Sequence, residues 1–163
     1  MEKLVILVLL GTQNNSFHRL LEKIDELIQT QVIQEEVIAQ SGYTKYQAKN
    51  IKMIDFIAKE ELEKLQNQAE LIITHGGVGS ILLSITKDKK VIAVPRLHKY
   101  QEHVNDHQKE IVELFNQKGY IIGIQEVEEL EQALQRSKEF KPKKYRQDNH
   151  KMLQLIEDFI EKC

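Results

Sequence analysis

The stretch that most constrains the fold is residues 4–10, an uninterrupted apolar run of Leu, Val and Ile. Such a run, without polar residues at alternate positions, is typical of a strand buried on both faces of a parallel sheet. Gly11 and Thr12 end the run, and Ser16 can then cap a helix whose apolar residues recur at helical spacing. The run is well short of the roughly 20 residues that cross a bilayer as a helix. These residues therefore predict a buried strand, a short loop and an amphipathic helix.

Further along the chain, strand patterns and helix patterns alternate. Strands are predicted at residues 32–39, 51–57, 71–74, 91–95 and 120–124. Helical patterns follow at residues 62–69, 80–86, 104–118 and 127–134, and Gly119 is predicted to end the third of these. Strands alternating with helices imply an α/β domain, with a Rossmann-like parallel sheet and helices on both faces. Ligands of such sheets bind at the carboxyl ends of the strands, where the unusual loops of this sequence fall.

Size and composition fit one compact domain, because 41% of the 163 residues are hydrophobic and 29% are charged. We assign residues 1–135 to a ligand-binding domain and residues 136–163 to a basic linker with a C-terminal amphipathic helix.

A net charge of −2 provides no field that attracts nucleic acid, so no nucleic-acid partner is expected. The single cysteine, Cys163, excludes an internal disulfide. Without a basic leader and a cleavage site, the sequence predicts a cytoplasmic protein.

The C-terminal region combines a basic segment with an apolar stripe. Residues 136–151 carry seven Lys or Arg residues against Glu139 and Asp148. The apolar residues beyond them share one face of a predicted helix: Met152, Leu155, Ile156, Phe159 and Ile160. The sequence leaves open three ways of burying this stripe: against its own domain, against a partner protein, or at a membrane surface.

A glycine-rich loop is the sharpest functional signal in the sequence. It consists of His75, Gly76, Gly77, Val78, Gly79 and Ser80, between a predicted strand and a predicted helix. The glycines let a ligand approach the backbone closely, and the start of a helix offers unpaired N–H groups and a positive dipole end, which suits a diphosphate. A tight turn without a ligand is the alternative interpretation. The Gly-Lys-Ser or Gly-Lys-Thr ending of a P-loop is absent, which disfavours ATP hydrolysis.

Two other loops at the same predicted edge are rich in donors and acceptors. Residues 95–108 supply candidate binding groups in Arg96, Asn105, Asp106, His107 and Gln108. The alternative is a solvated helix start. Three histidines, His98, His103 and His107, could suggest zinc, but no cysteine or His-Glu pairing completes a ligand set, so no metal is predicted. Residues 11–16 can present backbone amides, including those of Gly11 and Thr12, or form an ordinary polar turn. Together the loops favour an anionic, hydroxyl-rich ligand.

A resemblance to a known family rests on several motifs together. They are Gly11-Thr12, Gln40-Ser41-Gly42-Tyr43, Asp55-Phe56-Ile57, residues 69–80, Val94-Pro95-Arg96 and residues 102–108. In this combination the chain resembles the glycosyltransferase family 28 C-terminal domain. More narrowly, it is similar to the soluble subunit of split enzymes, namely the eukaryotic asparagine-linked-glycosylation N-acetylglucosamine transferase and bacterial capsule or exopolysaccharide transferases.

The resemblance implies the C-terminal half of a GT-B fold that binds a UDP-sugar across the loops described above. Phe56 and Ile57 match the segment that meets the uracil, and residues 76–80 match the diphosphate loop. Residues 105–108 match positions at the donor sugar, and residues 11–14 match the loop that faces the partner domain. The family usually has a Glu that binds the ribose at the position of Leu83, whose side chain cannot accept those hydrogen bonds.

The reaction that this resemblance implies is an inverting transfer from UDP-galactose, or next from UDP-N-acetylglucosamine, to a lipid-linked saccharide. A membrane-anchored partner subunit is expected to bind the acceptor and to supply the base, so no catalytic residue and no cofactor is assigned here. A non-catalytic enhancer of a partner transferase is the alternative, favoured by Leu83. A UDP-sugar epimerase of related architecture is disfavoured, because it requires both halves in one longer chain.

Overall fold

The computed structural model describes residues 4–11, 15–145, 154 and 157. The strands are β1 (Val5–Leu9), β2 (Glu36–Gln40), β3 (Lys52–Ile54), β4 (Ala69–His75), β5 (Lys90–Val94) and β6 (Ile122–Gly123). The helices are α1 (His18–Gln29), α2 (Lys59–Gln68), α3 (Val78–Ile85), α4 (His107–Gln117) and α5 (Leu130–Ser137). Two short 3₁₀ turns occupy His98–Tyr100 and Val127–Glu129.

The strands form one open sheet in the order β3-β2-β1-β4-β5-β6, and every neighbouring pair is parallel. This arrangement confirms the predicted Rossmann-like α/β fold. The strand order reverses direction between β1 and β4, which opens a crevice at the carboxyl ends of the strands. In the register of the sheet, Leu9 lies beside both Gln40 and Thr74, so three of the loops discussed above emerge at the same level.

Both faces of the sheet are buried. In β1, Ile6 and Val8 belong to one apolar cluster, while Leu7 and Leu9 belong to the cluster on the other face. Helices α1 and α5 contribute side chains to the first cluster, and α3 and α4 contribute to the second. The predicted helices on both faces are thereby confirmed, and double burial explains why the run at residues 4–10 has no polar alternation.

Several predicted boundaries are wrong by a few residues. The second strand begins at Glu36 rather than at residue 32, because a turn with Gln31 in the left-handed region (φ 66°) first closes α1. The helix predicted at residues 104–118 begins only at His107, after an irregular loop. By contrast, α3 begins at Val78, before the predicted start at Ser80, so Gly79 lies in its first turn.

The predicted cap of α1 is also wrong, whereas the predicted end of α4 is confirmed. The N-cap position of α1 is Phe17, and its backbone N–H donates to Thr44 Oγ1 at 2.9 Å, so Ser16 does not cap the helix. A side chain 27 residues away thus satisfies the N–H of the N-cap residue, and no side chain caps the first turn of the helix. Gly119 follows α4 with φ +81°, a conformation that glycine adopts at little cost.

The packed structure continues past residue 135. Helix α5 extends to Ser137, whose carbonyl accepts a hydrogen bond from Lys90 Nζ at 2.8 Å. Tyr145 is buried and its ring packs edge-on against Tyr120, with centroids 5.4 Å apart. The predicted apolar stripe of the final helix lies outside the described residues. Within the described ranges, no helix has the length and apolar character needed to cross a membrane.

Candidate functional site

The loops that follow β1, β2 and β4 meet closely at the carboxyl edge of the sheet. A Cβ atom added to Gly11 would lie 2.6 Å from Nε2 of His75, and one added to Gly42 would lie 2.5 Å from the carbonyl oxygen of Gly11. Both glycines have positive φ angles, +76° and +57°. The close approach of these three loops therefore depends on residues without a side chain.

The two glycines at the start of α3 serve different purposes. Gly77 is the N-cap residue, and a Cβ atom there would collide with the ring of His75. Gly79 is exposed, and a Cβ atom there would meet nothing within 4 Å. The amides of the first helical turn have no partner within the helix and lie beside this open space. The start of α3 is therefore accessible to an anion.

His75 ends β4 and is buried beneath the glycine loop. Its Nδ1 atom lies 3.3 Å from Nε2 of Gln108 and 3.5 Å from Nη1 of Arg96, and its Nε2 atom lies 3.2 Å from the hydroxyl of Ser80. Burial, and next the charge of Arg96, lower the pKa of His75 to about 3. The imidazole is therefore neutral at physiological pH.

Arg96 follows β5 and is a buried cation. It is 1% exposed, and its Nη2 atom donates to the carbonyl oxygens of Leu10 at 2.7 Å and Asn15 at 3.1 Å. Burial lowers its pKa to about 10, against the opposing effect of the Glu102 carboxylate, so the guanidinium stays protonated. Among the described residues no carboxylate forms an ion pair with Arg96. The loop after β1 is thus held by a buried positive charge that has no direct ion-pair partner in the described part of the chain.

The polar residues expected at the donor sugar shape the start of α4. Asn105 Oδ1 accepts a hydrogen bond from the backbone N–H of His107 at 3.0 Å, and Asp106 Oδ1 accepts one from the N–H of His98 at 2.8 Å. Asp106 is exposed, whereas Asn105 and His107 are half-buried. Gln108 is buried, and its Oε1 accepts from the N–H groups of Gly76 at 3.1 Å and Arg96 at 3.0 Å.

An ion-pair cluster behind this loop was not found by sequence reasoning. The guanidinium of Arg19 binds both carboxylate oxygens of Glu102 at 3.0 Å and also contacts Glu126 at 3.3 Å. It lies 4.3 Å from the ring centroid of Tyr100, and Glu102 additionally accepts from the N–H of Leu97. Glu102 belongs to the motif at residues 102–108, but no local sequence pattern indicates that its partner is Arg19, 83 residues earlier. The cluster fixes the loop between β5 and α4 onto α1.

The segment expected at the uracil lies at the outer edge of the sheet, after β3. Phe56 is 54% exposed and packs edge-on against Tyr43, with centroids 5.2 Å apart, while Ile57 is half-buried. Both aromatic rings line a cavity of about 320 Å³. The Nε2 atom of Gln40 joins this segment to the loop after β1, because it donates at 3.1 Å to the carbonyls of both Asp55 and Gly11.

The whole described domain matches one sequence family. Residues 5–162 match the Glycosyltransferase family 28 C-terminal domain. The chain belongs to this family. As a family 28 domain, it is a glycosyltransferase domain with the fold of the C-terminal half of a GT-B enzyme. A comparison with curated proteins finds no significant match.

Solved structures share the fold of this family 28 domain at low sequence identity. The NMR solution structure of ALG13 is similar with a TM-score of 0.65 and 19% identity, over 95% of both chains. MurG from Acinetobacter baumannii has a TM-score of 0.57 and 18% identity, over 83% of this chain and 41% of that one. SnogD from Streptomyces nogalater has a TM-score of 0.55 and 17% identity, over 86% of this chain and 40% of that one. The chain thus spans about two fifths of the length of these two proteins.

Two positions complete the description of the family 28 site. Leu83 is 48% exposed on α3, so it is not a core residue that excludes a polar replacement. Thr12, expected in the loop that faces the partner domain, lies outside the described residues. In the described part of the chain, no group of three or more His, Cys, Asp or Glu side chains is arranged to hold a metal ion.

Proposed function

We propose that this family 28 domain is the donor-binding subunit of a two-component inverting glycosyltransferase. It takes a sugar from a UDP-sugar and transfers it, with its partner, to a membrane lipid-linked saccharide in polysaccharide synthesis. The observation that carries the proposal is the open helix start at Gly79, close to neutral His75 and the buried cation Arg96. An anion placed there gains helix-end amides and a favourable potential without displacing a carboxylate.

The chemistry that these groups supply is stabilisation of the departing UDP diphosphate. Preorganised amides at a helix start and a nearby buried cation act on charge that develops on the leaving group. The chain supplies no assigned base, since the buried imidazole of His75 has a pKa of about 3 and is already engaged on both nitrogens. The base that deprotonates the acceptor hydroxyl is proposed to lie in the partner. The proposal includes no cofactor and no metal, and the UDP-sugar is a substrate.

The proposed donor contacts are distributed over four loops. They are Gly11, Thr12, Phe56, Ile57, His75, Gly76, Gly77, Val78, Gly79, Ser80, Arg96, Asn105, Asp106, His107 and Gln108. The proposed order along the edge is uracil at the loop after β3, diphosphate at α3, and sugar at the start of α4. UDP-galactose is the favoured donor and UDP-N-acetylglucosamine the next.

A second subunit is part of the proposal. The fold is similar to that of ALG13 over 95% of both chains, and this likeness supports the proposal of a two-component enzyme. The partner is proposed to be membrane-anchored and to bind the acceptor. The domain would then reside in the cytoplasm and at the inner face of the membrane through that partner.

The alternative function is a non-catalytic enhancer of a partner transferase, supported by the apolar and half-exposed Leu83 in place of a carboxylate. Calorimetric titration of UDP onto the purified chain separates the two. Saturable binding at millimolar concentration or tighter is expected for a donor subunit. Absence of saturable binding, with the partner both absent and present, would favour the enhancer.

A further inference from the structure

Lysine and arginine side chains gather at one corner of the domain, on the edge of the sheet where the strands begin and opposite the candidate site. Three segments meet there. They are residues 86–90, which lead into β5, Lys118, which follows α4 and precedes β6, and residues 136–145, which include the end of α5. Together these segments carry nine Lys or Arg residues against only Asp88 and Glu139.

Contacts of the backbone and of two aromatic rings hold residues 138–145 in place. The N–H of Lys143 donates to the carbonyl of Gly119 at 2.9 Å. Phe140 packs against the apolar cluster on one face of the sheet, and buried Tyr145 belongs to the cluster on the other face. The cations of this segment are therefore presented by backbone that is fixed at the edge of the sheet.

Two of the nine cations serve the fold. Lys89 Nζ donates to the carbonyl of Asn67 at 2.9 Å, and Lys90 Nζ donates to the carbonyl of Ser137 at 2.8 Å. The other seven form no ion pair with any residue that the structure describes, and six of them are exposed. Clustered like charges repel one another, so an anionic partner would stabilise them. We call these seven residues the basic corner: half-buried Lys87, and exposed Lys118, Arg136, Lys138, Lys141, Lys143 and Lys144.

Positive charge is segregated along this edge of a chain whose net charge is −2. Residues 30–36 and 69–70, at the starts of β2 and β4, carry no cation and contain Glu35, Glu36 and Glu70. A cavity of about 200 Å³ lies between the two regions and is lined by Glu35 and Glu70 as well as by Lys90 and Lys138. Opposite charges offset one another in this cavity, so attraction for an anion comes from the exposed basic corner.

We propose that the basic corner binds the surface of a membrane that contains anionic lipids. The headgroups of such a surface attract clusters of Lys and Arg side chains. Six of the seven cations are lysines, whose ammonium groups are hydrated point charges, whereas recognition of individual carboxylates favours the forked guanidinium of arginine. Lysines spread over three segments therefore fit a surface of many headgroups better than they fit an acidic peptide.

This inference goes beyond the proposed function, which places the domain at the membrane only through its partner. Electrostatic attraction alone gives weak and reversible binding, and stable attachment requires a second signal. A partner with its own membrane anchor would supply that signal. Because the basic corner lies where the strands begin, the crevice at their carboxyl ends stays open to a donor from the aqueous phase.

The test uses the full chain without a partner and without UDP. Co-sedimentation is measured with vesicles of phosphatidylcholine and with mixed vesicles of phosphatidylcholine and phosphatidylglycerol. We expect binding to the mixed vesicles only, and a loss of this binding as NaCl is raised, because salt screens exposed charges. No binding to the mixed vesicles, equal binding to both kinds of vesicle, or binding that salt does not weaken would overturn the proposal.

Matched variants then locate the binding surface. A triple variant removes three exposed charges of the basic corner: Lys141→Gln, Lys143→Gln and Lys144→Gln. Its partition onto the mixed vesicles should fall about a hundredfold, at about fivefold for each charge. The control removes the same charge from exposed positions elsewhere, namely Lys49→Gln, Lys59→Gln and Lys64→Gln, and should lose less than about fivefold. Equal losses in the two variants would show that only net charge matters and would refute the proposal.

A second variant covers a failure of the first to fold, which circular dichroism detects. The pair Lys118→Gln and Arg136→Gln should then lower the partition roughly 25-fold. Unchanged partition in that pair contradicts the proposal. Inorganic phosphate is also compared with chloride at equal ionic strength, and stronger release of the chain by phosphate would replace the membrane surface with a site for free phosphate.

The remaining outcomes separate this inference from the other proposals. Loss of co-purification with the partner in the triple variant, in a chain whose wild type binds no mixed vesicles, would assign the basic corner to an acidic protein surface and refute a lipid surface. A wild-type chain that binds mixed vesicles but no UDP supports this inference and refutes only the proposed function.

Discussion

The glycine loop and the loop between β5 and α4 reach the same edge of the sheet but are held there by different forces. The glycine loop is fixed by short-range hydrogen bonds between buried neutral groups, centred on His75 and Gln108. The other loop is fixed by charge, through Arg19, Glu102 and Glu126. Buried interactions of either kind are screened little by salt, whereas an exposed ion pair such as Lys99–Glu126 weakens as salt increases. Salt is therefore expected to loosen only the exposed margin of the loop between β5 and α4.

The largest expected effect concerns the open side of the glycine loop. Gly79→Asp places a carboxylate in the space proposed for the diphosphate, and the helix tolerates an acidic residue in its first turn. We expect UDP binding to become undetectable by calorimetry while the circular dichroism spectrum is retained. Gly79→Asn is the neutral control of similar size and should still bind. Equal UDP affinity in wild type and Gly79→Asp would place the diphosphate elsewhere.

Gly77→Asp gives a contrasting result at the closed side of the same loop. Its Cβ atom would collide with His75, so we expect a loss of stability rather than a selective loss of binding. A well-folded Gly77→Asp protein with the wild-type melting temperature would show that the glycine loop can move to make room for a side chain.

The charged loop is tested by Glu102→Ala. Glu102 is 4% exposed, and its removal leaves Arg19 with Glu126 as its one ion-pair partner among the described residues, so the free energy of unfolding should fall by about 2–4 kcal/mol. Chemical denaturation measures this fall. Lys99→Ala, which removes the exposed pair with Glu126, is the control and should have a much smaller effect that vanishes at high salt. Equal effects of the two substitutions would remove the distinction between buried and exposed pairs in this loop.

The hydrogen-bond network around His75 in the glycine loop is tested by the pH dependence of stability. The pKa of His75 is about 3 in the folded protein, below the roughly 6.5 of an unfolded histidine, so the unfolded state binds the extra proton first. The contribution of His75 is therefore complete above pH 6.5 and is lost as the pH falls toward 3, with a slope of about 1.4 kcal/mol per pH unit. Denaturation between pH 4 and pH 7 of wild type and His75→Gln measures it. The same slope in both proteins would show that another group is responsible.

The smallest expected effect is a gain in affinity for UDP. Leu83→Glu introduces a carboxylate at a half-exposed position of α3, where it can accept hydrogen bonds from ribose hydroxyls. UDP should bind more tightly by about 1 kcal/mol, roughly fivefold. The matched control Leu83→Gln should gain less, because an amide oxygen is a weaker acceptor than a carboxylate. Weaker binding in the carboxylate variant would mean that Leu83 lies beside the phosphates rather than the ribose.

Features with a local signature could be predicted from the sequence, whereas features that depend on distant partners could not. The apolar run of β1, the glycine loop and the end of α4 at Gly119 are each encoded by adjacent residues. The hydrogen bond from Phe17 to Thr44 and the pairing of Arg19 with Glu102 join residues 27 and 83 positions apart, and many other residues could have supplied those contacts. The edge of the sheet that carries the candidate site was therefore predictable, but the hydrogen bonds that orient its side chains were not.

The central position of β1 in the sheet has a consequence for the order of folding. Val5 pairs with Ala69, so joining β1 to β4 closes a much longer loop than joining β4 to β5, where His75 pairs with Val94. Long loops close slowly, because the chain loses conformational entropy before the strand contacts that offset this loss have formed. Arg96 can reach the carbonyl of Leu10 only after this last closure. During refolding, the capacity to bind a ligand should therefore return later than helical content, and a chain stopped before β5 would have a sheet edge without the cation that completes it.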